Sequence, residues 1–427
     1  MREIFYIFLV PCLIFTIFSC GKTSEENIND TISKTNETVD DTVGIVNDNI
    51  FGGTAEGSGI IHTKFVKKVL PENYCASSVD VKQTNDGGYI IAGCYGKIGS
   101  EDGKAWLIKT DVYGEKQWEK TYVLDDYWGN RDVIQTSDGG YLYVSWTGVL
   151  KTDSSGKMLW KKKGVPGNAA QNPYYEDVIE HSNGNYYLVG GPVAEQAIMV
   201  KISPTGSVLK TKSYGKSCAD DIFRSVIESN DGKLIMVGEK SHGNQSYPCA
   251  FYFRYYKNIW VVKTGKNGVK IWAKEYGGTA LDKGQDIVRR TDSDGYKVLG
   301  QKCAHGYTIS NCGSVYKAVI LTINEEGNQL NETILPWQNM FEYGRAQALA
   351  NTHLGGYVFV TASVPRPRKN ENGKLWIKKW GSGEKNMELK IMPNSDGGRS
   401  IMKTNDNGFI ISDGEYMIKT DSNLSYD

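Results

Sequence analysis

The sequence predicts an all-β fold, a seven-bladed β-propeller of four-stranded antiparallel blades in which an N-terminal strand completes the last blade. Three observations support this prediction. A glycine-containing turn followed by an apolar strand occurs seven times, and a second turn, often followed by tryptophan, lies between successive copies. The last copy lacks its final strand, and an unassigned strand-like segment precedes the first copy.

The first repeated feature is a short turn that leads into an aromatic or apolar residue. Successive copies begin 45 to 62 residues apart, and a period near fifty is typical of propellers and related arrays. The copies are Asp86-Gly87-Gly88-Tyr89, Asp138-Gly139-Gly140-Tyr141, Asn183-Gly184-Asn185-Tyr186, Asp231-Gly232-Lys233-Leu234, Ser293-Asp294-Gly295-Tyr296, Leu354-Gly355-Gly356-Tyr357 and Asp406-Asn407-Gly408-Phe409.

The second repeated feature is a four-residue turn with Asp first and Gly last, as in Asp111 to Gly114 before Trp118. Asp and Gly at these positions favour a type I turn. Each unit therefore contains four short antiparallel strands, which is the composition of a propeller blade. A sandwich does not need seven equal copies, and a solenoid would need capped ends.

The ends of the repeat region predict how the ring closes. After Met417 to Asp421 the chain stops at Asp427 without a fourth strand, whereas residues 63–70 read as a strand without a blade. We therefore expect this N-terminal segment to supply the outer strand of the seventh blade, which removes two exposed sheet edges.

The N-terminal region reads as an export and anchoring segment. A short charged start precedes an apolar run from Ile4 to Phe18, which is too short to span a membrane comfortably. The run ends at Ser19-Cys20-Gly21, which resembles a bacterial lipobox and implies that Cys20 carries a lipid anchor. A simple signal peptide or an uncleaved anchor is the alternative. The predicted domains are a signal peptide (residues 1–19), a polar flexible tether (20–59) and the propeller (60–427).

Charge and cysteine content restrict the classes of partner. Lys+Arg and Asp+Glu are equal at 49 each, so no broad basic surface predicts nucleic-acid binding. The propeller contains six cysteines, an even number that suggests disulfides in an exported chain. Metal binding is the competing interpretation, but no CxxC pair is present and the five histidines are scattered, so we expect neither a metal nor a cofactor. The cysteines are Cys75, Cys94, Cys218, Cys249, Cys303 and Cys312.

The propeller should have two different faces. The two repeated turns lie on one face, the turn face, and the longer connections lie on the other, the loop face. Because all six cysteines fall in the longer connections, the pairs Cys75–Cys94, Cys218–Cys249 and Cys303–Cys312 would each join loops of one blade.

The turn of the form Asp-x-x-Gly followed by Trp resembles that of the quinoprotein-like β-propeller superfamily, and the tandem Asp-Gly-Gly-Tyr copies are similar to those of envelope lipoproteins of the Bacteroidetes type. Lys210 and Asn331 stand where the pattern has Trp. The superfamily contains pyrroloquinoline-quinone dehydrogenases and protein-binding scaffolds. Its enzymes usually have eight blades and a calcium-linked catalytic Asp that this sequence does not reveal, so the resemblance favours a protein without a cofactor.

Two residue sets are candidates for a site. Aromatic residues that the blade pattern does not require can stack on sugar rings or anchor a protein, or alternatively pack the loops onto the ring. They are Tyr127, Trp128, Tyr174, Tyr175, Tyr252, Tyr255, Tyr256, Trp337 and Tyr343. Polar residues begin the innermost strands and would line the mouth of the channel, holding a cation or polar ligand or satisfying loop backbone. They are Asp80, Asp132, Asp177 and Asp286, with Ser225 at the matched position.

The sequence shows no complete catalytic site. The leading hypothesis is therefore a non-catalytic, monomeric binding or scaffold protein of the cell envelope, held on a membrane by its N-terminal lipid, with the outer membrane expected. Its partner would be a glycan or an envelope protein. The alternatives are a hydrolase or lyase acting on polysaccharide and a scaffold for outer-membrane assembly.

Overall fold

Each sequence repeat forms one antiparallel four-stranded sheet, and seven such sheets make up the protein. The structure is a computed structural model, and the residues it describes are 61–69, 74–95, 104–124, 129–146, 148–164, 174–191, 195–216, 219–242, 256–278, 280–303, 316–335, 343–364, 374–381, 387–391, 400–414 and 416–426. All of them belong to one compact unit from Gly57 to Asp427. The predicted signal peptide, Cys20 and the tether lie outside the described residues.

Strands are numbered in chain order, and blades are numbered from the first complete repeat. Blade 1 comprises β2 (Tyr74–Gln83), β3 (Tyr89–Tyr95), β4 (Lys104–Thr110) and β5 (Lys116–Val123). Blade 2 comprises β6 (Asn130–Gln135), β7 (Tyr141–Ser145), β8 (Gly148–Thr152) and β9 (Met158–Lys163). Blade 3 comprises β10 (Tyr175–Glu180), β11 (Tyr186–Gly190), β12 (Ala197–Ile202) and β13 (Val208–Tyr214). Blade 4 comprises β14 (Ile222–Glu228), β15 (Leu234–His242), β16 (Tyr256–Thr264) and β17 (Lys270–Tyr276).

The remaining blades follow the same order. Blade 5 comprises β18 (Lys283–Arg289), β19 (Tyr296–Cys303), β20 (Tyr316–Ile323) and β21 (Gln329–Ile334). Blade 6 comprises β22 (Tyr343–Asn351), β23 (Tyr357–Val364), β24 (Lys374–Trp380) and β25 (Met387–Ile391). Blade 7 comprises β26 (Ser400–Lys403), β27 (Phe409–Ser412) and β28 (Tyr416–Thr420), and its fourth strand is β1 (Phe65–Lys68).

The blades form a closed circle with their first strands innermost. Each of these strands contacts the first strand of the next blade, and the contact between β26 and β2 completes the series. The apolar core lies between the blades. Among the described residues it divides into seven clusters, and each cluster combines side chains of two neighbouring blades. The predicted seven-bladed, all-β architecture is confirmed.

The ring closes as the sequence predicted, because β1 pairs antiparallel with β28. Phe65 lies opposite Lys419, just as Trp118 of blade 1 lies opposite Lys109. The aromatic side chains of Phe65 and Trp118 also make equivalent edge-on contacts, each with the blade that follows its own. Phe65 packs on Tyr89 and Trp118 packs on Tyr141, both with ring centroids 5.7 Å apart. Phe65 therefore replaces the repeat tryptophan in the blade that the two chain ends share.

The second repeated turn explains why tryptophan and glycine occur together. The turn glycine of one blade lies directly against the outer-strand aromatic residue of the preceding blade, as Gly206 does against Trp160. Gly206 has a positive φ of 82°, and a Cβ there would lie 2.9 Å from the indole, so both its backbone and its neighbour exclude a larger residue. The Trp160 indole N–H also donates to the Pro204 carbonyl in this turn.

The first repeated turn is held by a lysine from the third strand of the same blade. In blade 7 the Lys419 ammonium lies 2.8 Å from the Asp406 carboxylate and donates to the Thr420 carbonyl. Lys109 with Asp86 and Lys151 with Asp138 repeat this arrangement. The turn aspartates and the Lys-Thr pairs are therefore structural parts of the blade.

Candidate functional site

The loop face differs from blade to blade at positions where the turn face repeats. The residue five positions after the aromatic or leucine residue that begins the second strand lies at or near the loop-face end of that strand. It is different in almost every blade, being Cys94, Trp146, Gly191, Glu239, Gln301, Ala362 and Gly414 in order. Since the turn face is occupied by packing that every blade needs, a function particular to this protein is best sought on the loop face.

The predicted polar residues of the innermost strands form a belt around the centre of the ring. Each carboxylate accepts a hydrogen bond from a backbone N–H of the next blade. The donors to Asp80, Asp132, Asp177 and Asp286 are the amides of Val133, Val178, Val226 and Leu349, at 3.1, 3.3, 2.7 and 2.8 Å. The Ser225 hydroxyl donates to Asp286, and the Ser400 hydroxyl donates to the Val81 carbonyl. Blade 6 has Ala348 at this position.

Lys82 lies among these carboxylates. Its ammonium is 3.3 Å from Asp80 and 3.2 Å from Asp132. Burial raises the pKa of Asp80 to about 6, and the charge of Asp132 adds to this rise while Lys82 opposes it. Burial also raises the pKa values of Asp132, Asp177 and Asp286. For Lys82, burial acts to lower the pKa, but the charges of Asp132, Asp80 and Asp177 outweigh it and raise the pKa.

The belt connects neighbouring blades through hydrogen bonds. In the described part of the chain no group of three or more His, Cys, Asp or Glu side chains is arranged to hold a metal ion. The carboxylates satisfy the amides of buried residues, and a ligand at the mouth of the channel stays a prediction. The belt therefore contributes to stability rather than forming the main candidate for a ligand site.

The belt predicts that the protein becomes more stable as the pH falls from 7 to 5. A carboxylate whose folded pKa is raised binds its proton more tightly in the folded state, so stability increases between its folded pKa, about 6 for Asp80, and its unfolded value of 3.8. Asp80 alone should contribute about 1 kcal/mol between pH 7 and pH 5. Below about pH 4.5, groups with lowered pKa values such as Glu239 act in the opposite direction.

Thermal melts at pH 5 and 7 test this prediction. Asp80→Asn should reduce the gain at pH 5, since the amide oxygen still accepts from Val133 but no longer titrates. Asp138→Asn is the matched control, because the hydrogen bonds from Thr136 and Lys151 overcome the effect of burial and lower the pKa of Asp138. A melting temperature that is equal at both pH values in the unsubstituted protein would contradict the prediction.

A group of charged and aromatic residues on the loop face of blades 2 to 4 is the strongest candidate site. We call it the loop-face cluster. Its charges alternate in sign, from Arg131 through Glu176, Arg224, Glu239 and Lys257 to Asp220.

The distances show a connected network. Arg224 lies 3.1 Å from Glu176 and 3.0 Å from Glu239, and Lys257 lies 2.9 Å from Glu239 and 2.7 Å from Asp220. Glu239 is almost fully buried, whereas 29% of the Arg224 side chain is exposed. The network therefore has a buried acidic base, and its accessible part carries both signs of charge, because the Asp220 side chain is 48% exposed beside Arg224 and Lys257.

Electrostatics keep this network ionised. Burial acts to raise the pKa of Glu239, but the charges of Arg224, Lys257 and Lys283 lower it to about 2. Burial likewise opposes the charges of Arg224 and Lys257, and the neighbouring carboxylates outweigh it and raise both pKa values. At neutral pH the cluster therefore presents fixed charges in a partly desolvated setting, where polar recognition is strong.

The aromatic part of the cluster lies where blades 2 and 3 meet. The Arg131 guanidinium stacks 4.2 Å above the Trp146 ring, which makes an edge-on contact with Tyr174 at 5.3 Å. The backbone fixes this arrangement, since the Tyr175 amide donates to the Trp146 carbonyl and the Gly191 amide donates to that of Tyr174. Both rings are partly exposed. Trp146 Nε1 is buried and has no hydrogen-bond partner among the described residues.

The predicted aromatic residues lie in different environments. Tyr174 belongs to the loop-face cluster. Tyr256, at the start of β16, stacks on His242 with centroids 4.7 Å apart, so it also lies on the loop face of blade 4. Tyr175 is a correction, because its side chain is fully buried in the core between blades 2 and 3 and cannot reach a ligand. The remaining predictions concern residues whose side chains the structure does not describe, namely Tyr127, Trp128, Tyr252, Tyr255, Trp337 and Tyr343.

Three of the six predicted disulfide cysteines, Cys75, Cys94 and Cys303, lie in strands that the structure describes. Cys94 and Cys303 are disulfide-bonded, and the register of β2 and β3 places Cys75 opposite Cys94. Cys218, Cys249 and Cys312 lie outside the described residues. The three proposed pairings stay predictions. Peptide mapping without reduction would test them directly.

Solved propellers of other proteins share this architecture. A streptogramin B lyase aligns with a TM-score of 0.53 at 13% identity, covering 83% of this chain and 96% of the lyase chain. The Pan2 WD40 domain of Neurospora crassa aligns with a TM-score of 0.53 at 10% identity, covering 84% and 96%. The shared feature is the propeller fold. No protein-family model and no curated protein sequence matches the chain, so the resemblance to quinoprotein-like propellers and to envelope lipoproteins stays a prediction.

Sequence reasoning missed part of the loop-face cluster. Arg131 and Arg224 directly precede Asp132 and Ser225 of the central belt and were not proposed as ligand contacts. Trp146, Glu239 and Lys257 were not singled out. A signal was present, since Trp146 and Glu239 occupy the blade position that varies around the ring. Aligning the copies and asking where they differ would have identified two of these residues.

Proposed function

We propose that this protein is a non-catalytic, lipid-anchored β-propeller of the cell envelope that binds a glycan or protein ligand on its loop face. The observation that carries the proposal is the loop-face cluster. It combines an accessible pair of aromatic rings with fixed charges, and the blade repeat requires none of them. Aromatic faces and arginine are the groups that most often anchor a ligand or partner.

The chemistry of the cluster suits a ligand with both apolar and hydrogen-bonding surfaces. A sugar ring can stack on the exposed part of Tyr174 while its hydroxyls accept from Arg131 or Arg224. A loop or terminus of a protein with a carboxylate and an adjacent apolar side chain would use the same groups.

Anchoring through Cys20 would place the loop face within reach of envelope components, since the predicted tether extends to residue 59. The two alternatives predict different results in the same experiments. A polysaccharide hydrolase or lyase would release new chain ends from its substrate. A scaffold for outer-membrane assembly would co-purify with membrane proteins but bind no glycan.

A glycan array and a pull-down from envelope extract, both with the full chain, test the proposal. We expect Arg224→Ala and Tyr174→Ala to weaken binding about tenfold or more, because each removes a central contact group. Tyr113→Ala is the control, since Tyr113 is an exposed aromatic residue in a turn of the opposite face. Equal loss of binding in this control, or no binding to either class of ligand, would contradict the proposal.

A further inference from the structure

The outer surface of blades 2, 3 and 4 is strongly basic, although the whole chain is formally neutral. The outermost strands β9, β13 and β17 contain three, two and two lysines, and they contain one acidic residue, Glu275. Seven positive charges against one negative give these three strands a net charge of +6. The outermost strands of the neighbouring blades differ, because β5 has two lysines and one glutamate, and β21 has one glutamate and no lysine.

Large apolar side chains are interleaved with these lysines. Each blade places two of them at the beginning of its outermost strand, directly after the second repeated turn, and each is between 41% and 66% exposed. They are Met158, Leu159, Val208, Leu209, Val269 and Ile271. Leu159, Leu209 and Ile271 occupy the same position in the three blades, one residue before the repeat tryptophan or its replacement.

The three strands belong to one continuous surface. The Trp160 indole of β9 donates to Pro204 in the turn that leads into β13. The turn that leads into β17 contacts β13 in the same way, because the Tyr214 hydroxyl of β13 donates to the Gly268 carbonyl of that turn. We call these exposed lysines and apolar residues the basic outer surface.

We propose that the basic outer surface docks on an anionic lipid bilayer. Lysines attract anionic headgroups and extend their ammonium groups to the headgroup level, while the aliphatic side chains beside them enter the boundary with the acyl chains. Nucleic acid would satisfy the lysines but would leave the six aliphatic side chains in water, so the combination favours lipid. The inference is independent of the loop-face ligand and of the anchor at Cys20. In an anchored protein, this contact would orient the ring edge-on to the membrane.

Lysine labelling of the full chain tests the proposal. The chain is mixed with vesicles of phosphatidylcholine alone or with added phosphatidylglycerol, and acylation of each lysine by an amine-reactive ester is measured by mass spectrometry. We expect Lys161, Lys162, Lys210 and Lys270 to be labelled about threefold or more slowly on the anionic vesicles, and Lys116 of blade 1 to be unaffected. Because salt screens the attraction between exposed lysines and anionic headgroups, this protection should fall at about 0.5 M salt.

Two variants distinguish docking of the basic outer surface from vesicle binding through the lipid anchor alone. Leu209→Glu combined with Ile271→Glu should abolish the protection, and Leu330→Glu should preserve it. Leu330 holds the equivalent exposed position in blade 5, outside the basic strands. Unchanged melting temperatures would show that the variants fold. Equal labelling on both kinds of vesicle, or equal protection by soluble RNA without vesicles, would overturn the proposal.

Discussion

Deleting residues 60–70 should lower the melting temperature of this protein by about 10 °C. The deletion removes β1, so blade 7 loses its outer strand and β28 becomes an exposed edge. It also removes Phe65, whose ring packs on Tyr89 and against Gly114 of blade 1. Loss of a fully buried aromatic side chain costs about 3 to 5 kcal/mol. Phe65 is partly buried, so its own share is smaller and the lost pairing of β1 adds to it. In a large domain each kcal/mol corresponds to about 2 to 4 °C.

Point substitutions separate the packing contribution from the effect of shortening the chain. Phe65→Ala should reproduce a large part of the loss. Ile61→Ala is the control, because Ile61 is a large apolar residue just before β1 that is half exposed. Thermal melts followed by circular dichroism give the comparison. If the deletion and both substitutions leave the melting temperature unchanged, the ring is not closed by this segment.

Lys419→Met should destabilise the protein by about 3 to 5 kcal/mol. Lys419 and Asp406 are both almost completely buried, with 2.8 Å between ammonium and carboxylate. Methionine would leave the Asp406 charge buried without its cation, and removing one partner of a buried pair has a cost of about this size. Lys109→Met should cost much less, because more than half of the Asp86 side chain is exposed to water.

Denaturant unfolding of the two single variants and of a double variant tests this assignment. Adding Asp406→Asn to Lys419→Met should restore part of the lost stability, because the amide is neutral and still accepts from the Gly408 amide. Similar losses for Lys419→Met and Lys109→Met would show that the depth of burial does not determine the cost.

The fold could be predicted because its determinants are local and repeated. The turn glycines, the outer-strand tryptophans and the Lys-Thr pairs recur in the sequence, and the contacts between blades reuse the same residues. Even the closing strand followed from counting strands at the two ends. Phe65 then takes the position of the repeat tryptophan, which the sequence alone did not reveal because it lies far from the other copies of the motif.

The candidate site could be predicted only as a face of the ring. Glu176 and Glu239 meet through Arg224, although they belong to different blades and lie 63 residues apart. Adjacent residues in the chain can also have opposite environments. Tyr174 is partly exposed at the loop face, whereas Tyr175 is buried between two blades. Sequence composition marked both as candidate binding residues, and only the direction of each side chain distinguishes them.

Amide hydrogen exchange of β1 in the full chain tests most directly the claim that the seven blades form one circle sealed by this strand. Because Phe65–Lys68 pairs with Tyr416–Lys419 of β28, we predict that the amides bonded between the two strands exchange slowly and lose protection together. Exchange of the β1 amides at the rate of an unstructured peptide, with the other blades still protected, would contradict the closed ring.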